Sequence, residues 1–557
     1  MKKTKSNWFE ISNWFITSVI FLISLWLIII QPLGPNLSHL PGDLIDTRFN
    51  NYILEHDFRW ITGRDASLWD APFFYPYAHT LTFSDNHFGS MLFYDAFRWA
   101  GLDRESALQG WYILSYFLNF FAASFVLKTL KLNPLAVGLG AFFFTFGLPV
   151  LAQENHVQLS YRFCIPLACF AIWQLAQKPH MKHLALLSLW VVWQFYLSIY
   201  LGVFLSLLLA IVGILLPLTQ SHSFYGVLSY WPQVFRQAWQ NTKIRTNLFY
   251  LSATLILLLS LVYLFQPYAA SSKAYGFTRS WDEISSMLPR IKSYFISDFS
   301  NLWKSISNFS SSFIPAKQEH QLFVGMPTLI WLILGFIWKF NSPYKKMAFL
   351  FLGAAAVLVL ITLDVRGHSL YKLLWQLPGV NSIRAVTWVI LVLLWPIALF
   401  IAIEGDALLR TSNQTFNAGA IVLLLFSLMA AESIYFNHVT FSKAAAAARL
   451  QTIYKRIPSS LTQDPILYVW NSDDNNWYLT ELDTMLVSQD LNWPAMNGYS
   501  GNLPNGYGPT QSCNEAFSRI ISFMNFNNIT DPSFYSHLIS RVVPVGSEKC
   551  EWPDKLL

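Results

Sequence analysis

Two aspartates three residues apart carry the first chemical signal in this sequence. Asp43 and Asp46 stand in Pro41-Gly-Asp-Leu-Ile-Asp-Thr-Arg-Phe-Asn50, and a helix there would place both on one face. They follow an apolar run over residues 14–30, which puts them at headgroup depth. Partial desolvation at that depth raises a carboxyl pKa towards the range useful to a general base. Asp43 follows Gly42 and also suits a helix N-cap, so Asp46 is the favoured base. A second pair, Asp85 and His87, lies in Ser84-Asp-Asn-His87 just before the apolar Met91-Leu-Phe-Tyr94. Ser-Asp-Asn is also ordinary turn composition. Because the pair shares a loop with Asp46, it is expected to face the same site, with Asp85 as a further candidate base and His87 as a substrate ligand.

Gln153-Glu-Asn-His-Val-Gln-Leu-Ser-Tyr-Arg162 gathers polar groups between two apolar runs. Polar groups at that depth are costly unless they face a cavity or water. His156 could bind substrate or orient a carboxylate; the plainer alternative is an outward-facing polar turn. Positive charge comes from residues 364–384, with Arg366, Lys372 and Arg384 as candidate substrate-binding residues. A guanidinium at the interface can hold a phosphate through two parallel hydrogen bonds, or it can simply snorkel as an anchor. The sequence has no His-Glu-x-x-His, no Cys-x-x-Cys and no glycine-rich nucleotide loop. No cofactor is expected; a divalent metal stays open, without a motif to hold it. A cytoplasmic nucleotide-driven enzyme is disfavoured.

These residues need a scaffold, and composition says which kind. Of 557 residues, 54% are hydrophobic and only 12% charged, with a mean hydropathy of +0.37. Soluble domains carry about 25% charged residues. Spans of about 20 apolar residues fall near 13–31, 110–128, 134–152, 160–177, 183–198, 201–217, 248–266, 322–339, 347–363, 385–403 and 415–433, which makes eleven. The expected fold is an all-α polytopic membrane protein over residues 1–433, with a small α/β extracytoplasmic domain over 434–557. Residues 14–30 lack a small-residue cleavage site and are expected to remain as a span.

The apolar stretch 184–217 is split at Tyr196–Gly202, where polar and aromatic residues cluster. With the N-terminus inside, the inner segments hold fourteen basic and three acidic residues, as the positive-inside rule requires. The net charge of +6 follows from that bias and signals no nucleic acid. Outer loop 32–109 holds ten carboxylates, five arginines and no lysine; Asp65 and Asp103 read there as solvated surface charges. In the tail, Ile466–Trp470 and Ser540–Pro544 have strand character, Ala444–Ala448 belongs to a helix, and Asn497-Gly498 and Asn505-Gly506 signal turns. Cys164 and Cys169 read as packing residues. Cys513 and Cys550 are either free or paired in an oxidising compartment.

Together, Gly42-Asp43 with Asp46, Phe74-Tyr-Pro76 leading to Ser84-Asp85, Asn155-His156, Leu377-Pro-Gly379 with Ile383-Arg384, and Asn497-Gly-Tyr-Ser-Gly501 resemble the GT-C superfamily of integral membrane glycosyltransferases. The likeness is to its bacterial members, with protein O-mannosyltransferases and lipid A aminoarabinose transferases as better-known relatives. The resemblance implies that an acidic residue of the first outer loop is the base and that the donor is a lipid-linked sugar. The chain departs from the mannosyltransferases in having no Asp-Glu pair in that loop. The expected activity is transfer of a sugar from a polyprenyl-phosphate donor to a hydroxyl on a lipid, glycan or protein acceptor, with inversion. The expected location is the outer face of a bacterial inner membrane, with the N-terminus cytoplasmic and the tail periplasmic or extracellular. A lipid or polysaccharide flippase or transporter, and a polysaccharide polymerase or ligase, are the alternatives. A transporter should carry ionisable residues deep in its spans.

Overall fold

A computed structural model describes residues 15–546, except 222, 311–313, 338–339, 378, 412–414, 460–461 and 473–475. Lys2, Lys3, Lys5, Glu10, Lys339, Pro378 and Cys550 lie outside the described residues. Among the described residues, eight helices are long and apolar enough to cross a membrane: Phe15–Leu33, Arg104–Thr129, Pro134–Leu151, Val157–Gln177, Ile199–Gln220, Ile244–Tyr275, Lys345–Thr362 and Val386–Arg410. Each coincides with an expected span. The spans expected at 183–198, 322–339 and 415–433 coincide with the helices Met181–Leu197, Met326–Ile337 and Thr415–Ile434. The chain is a helical multi-pass membrane protein. A further helix, Phe224–Gln240, lies in a segment read from sequence only as an inner connection.

Val386–Arg410 runs through the middle of the bundle and is almost wholly buried, whereas little of Ile244–Tyr275 is buried along its apolar length. Small residues permit the close packing that membrane helices depend on. A Cβ on Gly140 would lie 2.8 Å from Ala402 Cβ and 3.0 Å from the Ala398 carbonyl. The apolar stretch 184–217 does break, at Ser198, which is extended (φ −165°, ψ 126°). Asp85 makes the break possible. Its carboxylate accepts from Ser198 Oγ at 2.6 Å and from the Ile199 N–H at 2.9 Å, satisfying amides that a helix start leaves orphaned.

Outside the spans, the helix Asp46–Ile61 is buried over most of its length, and two of its charged side chains are paired. Arg48 meets Asp483 at 2.5 Å, and Glu55 meets Arg98 at 2.8 Å. Asp65 is not a solvated charge, whereas Asp103 is exposed as expected. Asp65 is paired with His56 at 2.8 Å and Arg59 at 3.1 Å, and Asp103 caps the helix Arg104–Thr129 through the Ser106 N–H. In the tail, Ile466–Trp470 pairs in parallel with Val542–Gly546, while Thr440–Ser442 pairs antiparallel with His39–Pro41 of the first loop. The helices Lys443–Tyr454, Trp477–Leu491, Glu515–Phe526 and Pro532–Arg541 complete the tail.

One apolar cluster joins Phe49, Tyr52, Phe73, Phe74 and Phe83 of the first loop to Leu450, Leu467, Met485 and Val545 of the tail. Loop and tail therefore share a core and lie on one side of the membrane. The charge bias leads us to expect that side to be the outer one. Cysteines introduced as Arg64→Cys and Ser536→Cys should both react with a membrane-impermeant maleimide added to intact cells. Protection of both would invert the topology, and protection of one alone would contradict the shared core.

Candidate functional site

The site is built where the first loop leaves its short strand. Gly42 has φ +76° and donates its N–H to the Val439 carbonyl at 2.7 Å. A Cβ there would lie 2.1 Å from Thr47 Oγ1 and 2.7 Å from the Glu154 carbonyl, so only glycine lets this turn pass against the 153–156 turn. Gly42→Ala should lower stability by at least about 1–3 kcal/mol, read as a lower unfolding midpoint in detergent; an unchanged midpoint would mean the two turns do not abut. Asp43 Oδ1 then accepts the N–H groups of Ile45 at 3.0 Å and Asp46 at 2.9 Å. Asp43 thus closes the turn that leads into the helix, whose N-cap position is Ile45. Asp46 is left as the first residue of the helix, where the helix dipole favours a negative charge.

Three elements converge on the Asp46 carboxylate. His156 Nδ1 lies 3.0 Å from Oδ2, and the Tyr499 hydroxyl donates to Oδ1 at 2.9 Å. His156 Nε2 lies 3.5 Å from Glu319 Oε1, and Glu319 Oε2 accepts from Trp388 Nε1 at 3.0 Å. Trp388 packs on the His156 ring, with centroids 4.9 Å apart, and on Tyr200 at 4.6 Å. The turn bearing His156 is tied to the tail by Glu154, which pairs with His438 at 2.6 Å and accepts from the Val439 N–H at 3.2 Å. The result is an Asp46–His156–Glu319 line with a tyrosine on its open end.

Tyr499 reaches Asp46 through the Asn497–Gly501 loop. The Asn497 side chain pairs with both backbone groups of Val469, at 2.8 and 2.9 Å. The Gly498 N–H donates to Glu481 at 2.7 Å, and Glu481 is held by buried Arg519 at 2.6 Å. A Cβ on Gly498 would fall 2.2 Å from the Phe74 ring. Two of the short segments behind the sequence resemblance thus pack on one another.

Burial pushes the Asp46 carboxyl up, but the hydrogen bond and charge of His156, the Tyr499 hydroxyl and Arg384 outweigh it and hold Asp46 below the ordinary carboxylate value. This reverses the expectation of a raised Asp46; desolvation and the neighbouring Asp46 charge raise Asp43 instead. Burial alone would deprotonate His156. The charge of Glu319 and the hydrogen bonds to Asp46 and Glu319 overcome it and lift the imidazole to about 10. Glu319, pushed up by burial, is brought below its ordinary value by His156, Trp388 and Arg384. The line is therefore carboxylate, imidazolium, carboxylate, with the Arg384 cation close enough to act on both ends.

Arg384 is half-buried and lies 3.7 Å from Glu283 Oε1, which Arg279 also reaches at 3.0 Å. Glu283 is thus shared between two guanidiniums, and Arg384 also feels the charges of Asp46 and Glu319. Arg366 is exposed in a turn at φ +54°, and Lys372 is exposed with its ammonium 5.4 Å from the centre of the Trp281 ring.

Neither Asp85 nor His87 is among the groups that contact the Asp46 carboxylate. Asp85 is spent on the Ser198 break, and burial raises its carboxyl to about 6. His87 Nε2 bonds Asn50 Oδ1 at 2.7 Å, with its ring against Trp111, and burial lowers it to about 3. Asn50 in turn donates to the Asp46 carbonyl at 2.7 Å. His87 thus braces the helix that carries Asp46. Glu319, Tyr499 and Glu283 belong to the cluster and were not singled out from sequence. Glu319 had a readable signal: Lys317-Gln-Glu-His320 stands just before an apolar span, the same position at a span mouth that marked Arg384.

No protein-family model matches the chain, and no curated protein sequence does. In structure the chain is similar to enzymes of glycosyl transfer. One is the archaeal oligosaccharyltransferase AglB from Archaeoglobus fulgidus, in complex with an inhibitory peptide and a dolichol-phosphate. The likeness has 12% identity and a TM-score of 0.49, and covers 93% of this chain and 69% of that one. Another is the arabinofuranosyltransferase AftD from Mycobacteria, at 11% identity and a TM-score of 0.44, covering 81% of this chain and 29% of that one.

Proposed function

We propose that the chain is a membrane glycosyltransferase that moves a sugar from a polyprenyl-phosphate donor to a hydroxyl acceptor at the outer face of a bacterial inner membrane. The observation that carries this reading is a carboxylate held ionised by an imidazolium, with an arginine close enough to act on it, at the ends of apolar spans. In the reaction, the acceptor oxygen attacks the anomeric carbon. The bond from that carbon to the phosphate oxygen breaks, and its electron pair leaves with the phosphate. The acceptor proton passes to Asp46. A base held below the ordinary carboxylate range accepts a proton late, once the attacking oxygen has become acidic, which suits an oxocarbenium-like transition state. Arg384 offsets the charge gathering on the departing phosphate, with Lys372 and Arg366 as outlying positive charge. One displacement inverts the anomeric centre. His156 and Glu319 position Asp46, and Tyr499 fixes its rotamer.

The direct test is mass spectrometry of glycolipids and glycoproteins from cells with and without the gene. Loss of one glycan in the deletion, restored by wild type, is the expected result; an unchanged set would overturn the reading. A sharper test addresses Arg384. Arg384→Lys keeps the charge but loses the two-pronged donor. Turnover with a polyprenyl-phosphate sugar should fall by at least about tenfold, equivalent to about 1.4 kcal/mol, at unchanged protein level. Near-wild-type turnover would make Arg384 an interfacial anchor only and move attention to Arg279 and Lys372.

A further inference from the structure

The helix Val157–Gln177 runs from the candidate site to the far end of the bundle, and a second charged feature stands there. Lys178 and Lys182 flank its turn into Met181–Leu197, Arg236 lies on Phe224–Gln240, and Lys243 and Arg245 stand where Ile244–Tyr275 begins. All five are exposed. Two contacts draw them into one patch: Asn241 Nδ2 donates to the Pro179 carbonyl at 2.9 Å, and Val234 and Ala238 pack with Leu175 and Met181. Between Glu154 and Asp282 the sequence contains no acidic residue, so this stretch supplies no carboxylate to neutralise them.

Phe224–Gln240 has three distinct sides. At 100° per residue, Phe224, Tyr225, Leu228, Phe235 and Trp239 fall on one stripe, and all five are exposed. Val234 and Ala238, beside that stripe, are buried against the bundle. Gln233, Arg236, Gln237 and Gln240 fill the third side. A helix with a protein-facing side, an exposed aromatic side and a polar side fits the boundary between hydrocarbon and water.

We propose that this basic face binds the phosphate headgroup of an anionic lipid, with Phe224–Gln240 lying in the interface beside it. Charge complementarity selects the occupant: five exposed cations that form no ion pair among the described residues, bordered by an apolar stripe, match a phosphate that carries acyl chains. The inference does not depend on the transferase reading. The test uses the full chain in phosphatidylcholine nanodiscs with or without phosphatidylglycerol, reading retained lipids by native mass spectrometry together with the unfolding midpoint. The wild type should retain phosphatidylglycerol selectively and unfold at a higher temperature with it, whereas inorganic phosphate should produce no shift. Two variants, Lys178→Gln with Lys182→Gln, and Arg236→Gln with Lys243→Gln and Arg245→Gln, should each lose retention, by about fivefold per cation removed. Arg236→Lys with Arg245→Lys should keep it. Equal retention of both lipids by the wild type, full retention by both glutamine variants, or a shift with inorganic phosphate alone would overturn the proposal. The wild-type comparison decides even if a variant fails to fold.

Discussion

Asp46→Asn is expected to reduce glycosyl transfer by about 10²- to 10⁴-fold, the usual cost of losing a positioned general base. Folding and insertion should persist. The amide can turn its oxygen towards His156 and its NH2 towards the Tyr499 hydroxyl oxygen, so both contacts keep a partner. The measurement is turnover of a radiolabelled polyprenyl-phosphate sugar in proteoliposomes, with gel filtration as the control for folding. Asp531→Asn, on an exposed helix start far along the tail, should leave turnover unchanged. Because Asp46 is held below the ordinary carboxylate range, the acid limb of the wild-type profile should also lie below that range. If Asp46→Asn retains more than about a tenth of wild-type turnover, the base lies elsewhere, and Asp43 is the next carboxylate to test.

His156→Gln should cost both activity and stability, and its signature is pH-dependent. Without the imidazolium, Asp46 and Glu319 keep only the charge of Arg384, which makes no ion pair with either. Asp46 is partly exposed and Glu319 is buried, and the expected loss is about 1–3 kcal/mol near neutrality. The imidazole is raised to about 10 in the folded protein, above an unfolded value of about 6.5. Its contribution is therefore complete below pH about 6.5 and declines as pH rises through about 10, because over that interval the folded state holds the extra proton. Asp46 and Glu319, both lowered, behave oppositely. Their contribution is present above their unfolded values and is lost as pH falls through the folded ones. Wild type should thus lose unfolding temperature between neutral and strongly alkaline pH, and His156→Gln should lack that slope. Parallel profiles for the two proteins would show that His156 is not the buried cation.

Part of this architecture is legible in one dimension, and the reason is the bilayer. Hydrocarbon thickness sets the length of an apolar run, so each expected span falls on a helix, and the polar interruption at 196–202 marks the break at Ser198. The same rule picks out Asp46, His156 and Arg384, because a polar residue at a span mouth stands out against its surroundings. Strand and helix character in the tail is equally local, as Ile466–Trp470 and Lys443–Tyr454 show.

Composition cannot say which of those polar residues meet. Asp85 and His87 share a loop with Asp46 and look alike from sequence, yet one holds a helix break open and the other braces a helix. Tyr499 reaches Asp46 across 453 residues, and Arg48 reaches Asp483 across 435. Even the sign of the Asp46 shift depends on this. Headgroup depth alone argues for a raised carboxyl, and only the folded chain brings an imidazolium to 3.0 Å and an arginine within reach. Sequence by itself determined the apolar helices and the places where polar groups gather at their ends, because these answer to the solvent. Tertiary structure decided the partners and the protonation states, because these answer to charges a few ångströms away in space and hundreds of residues away along the chain.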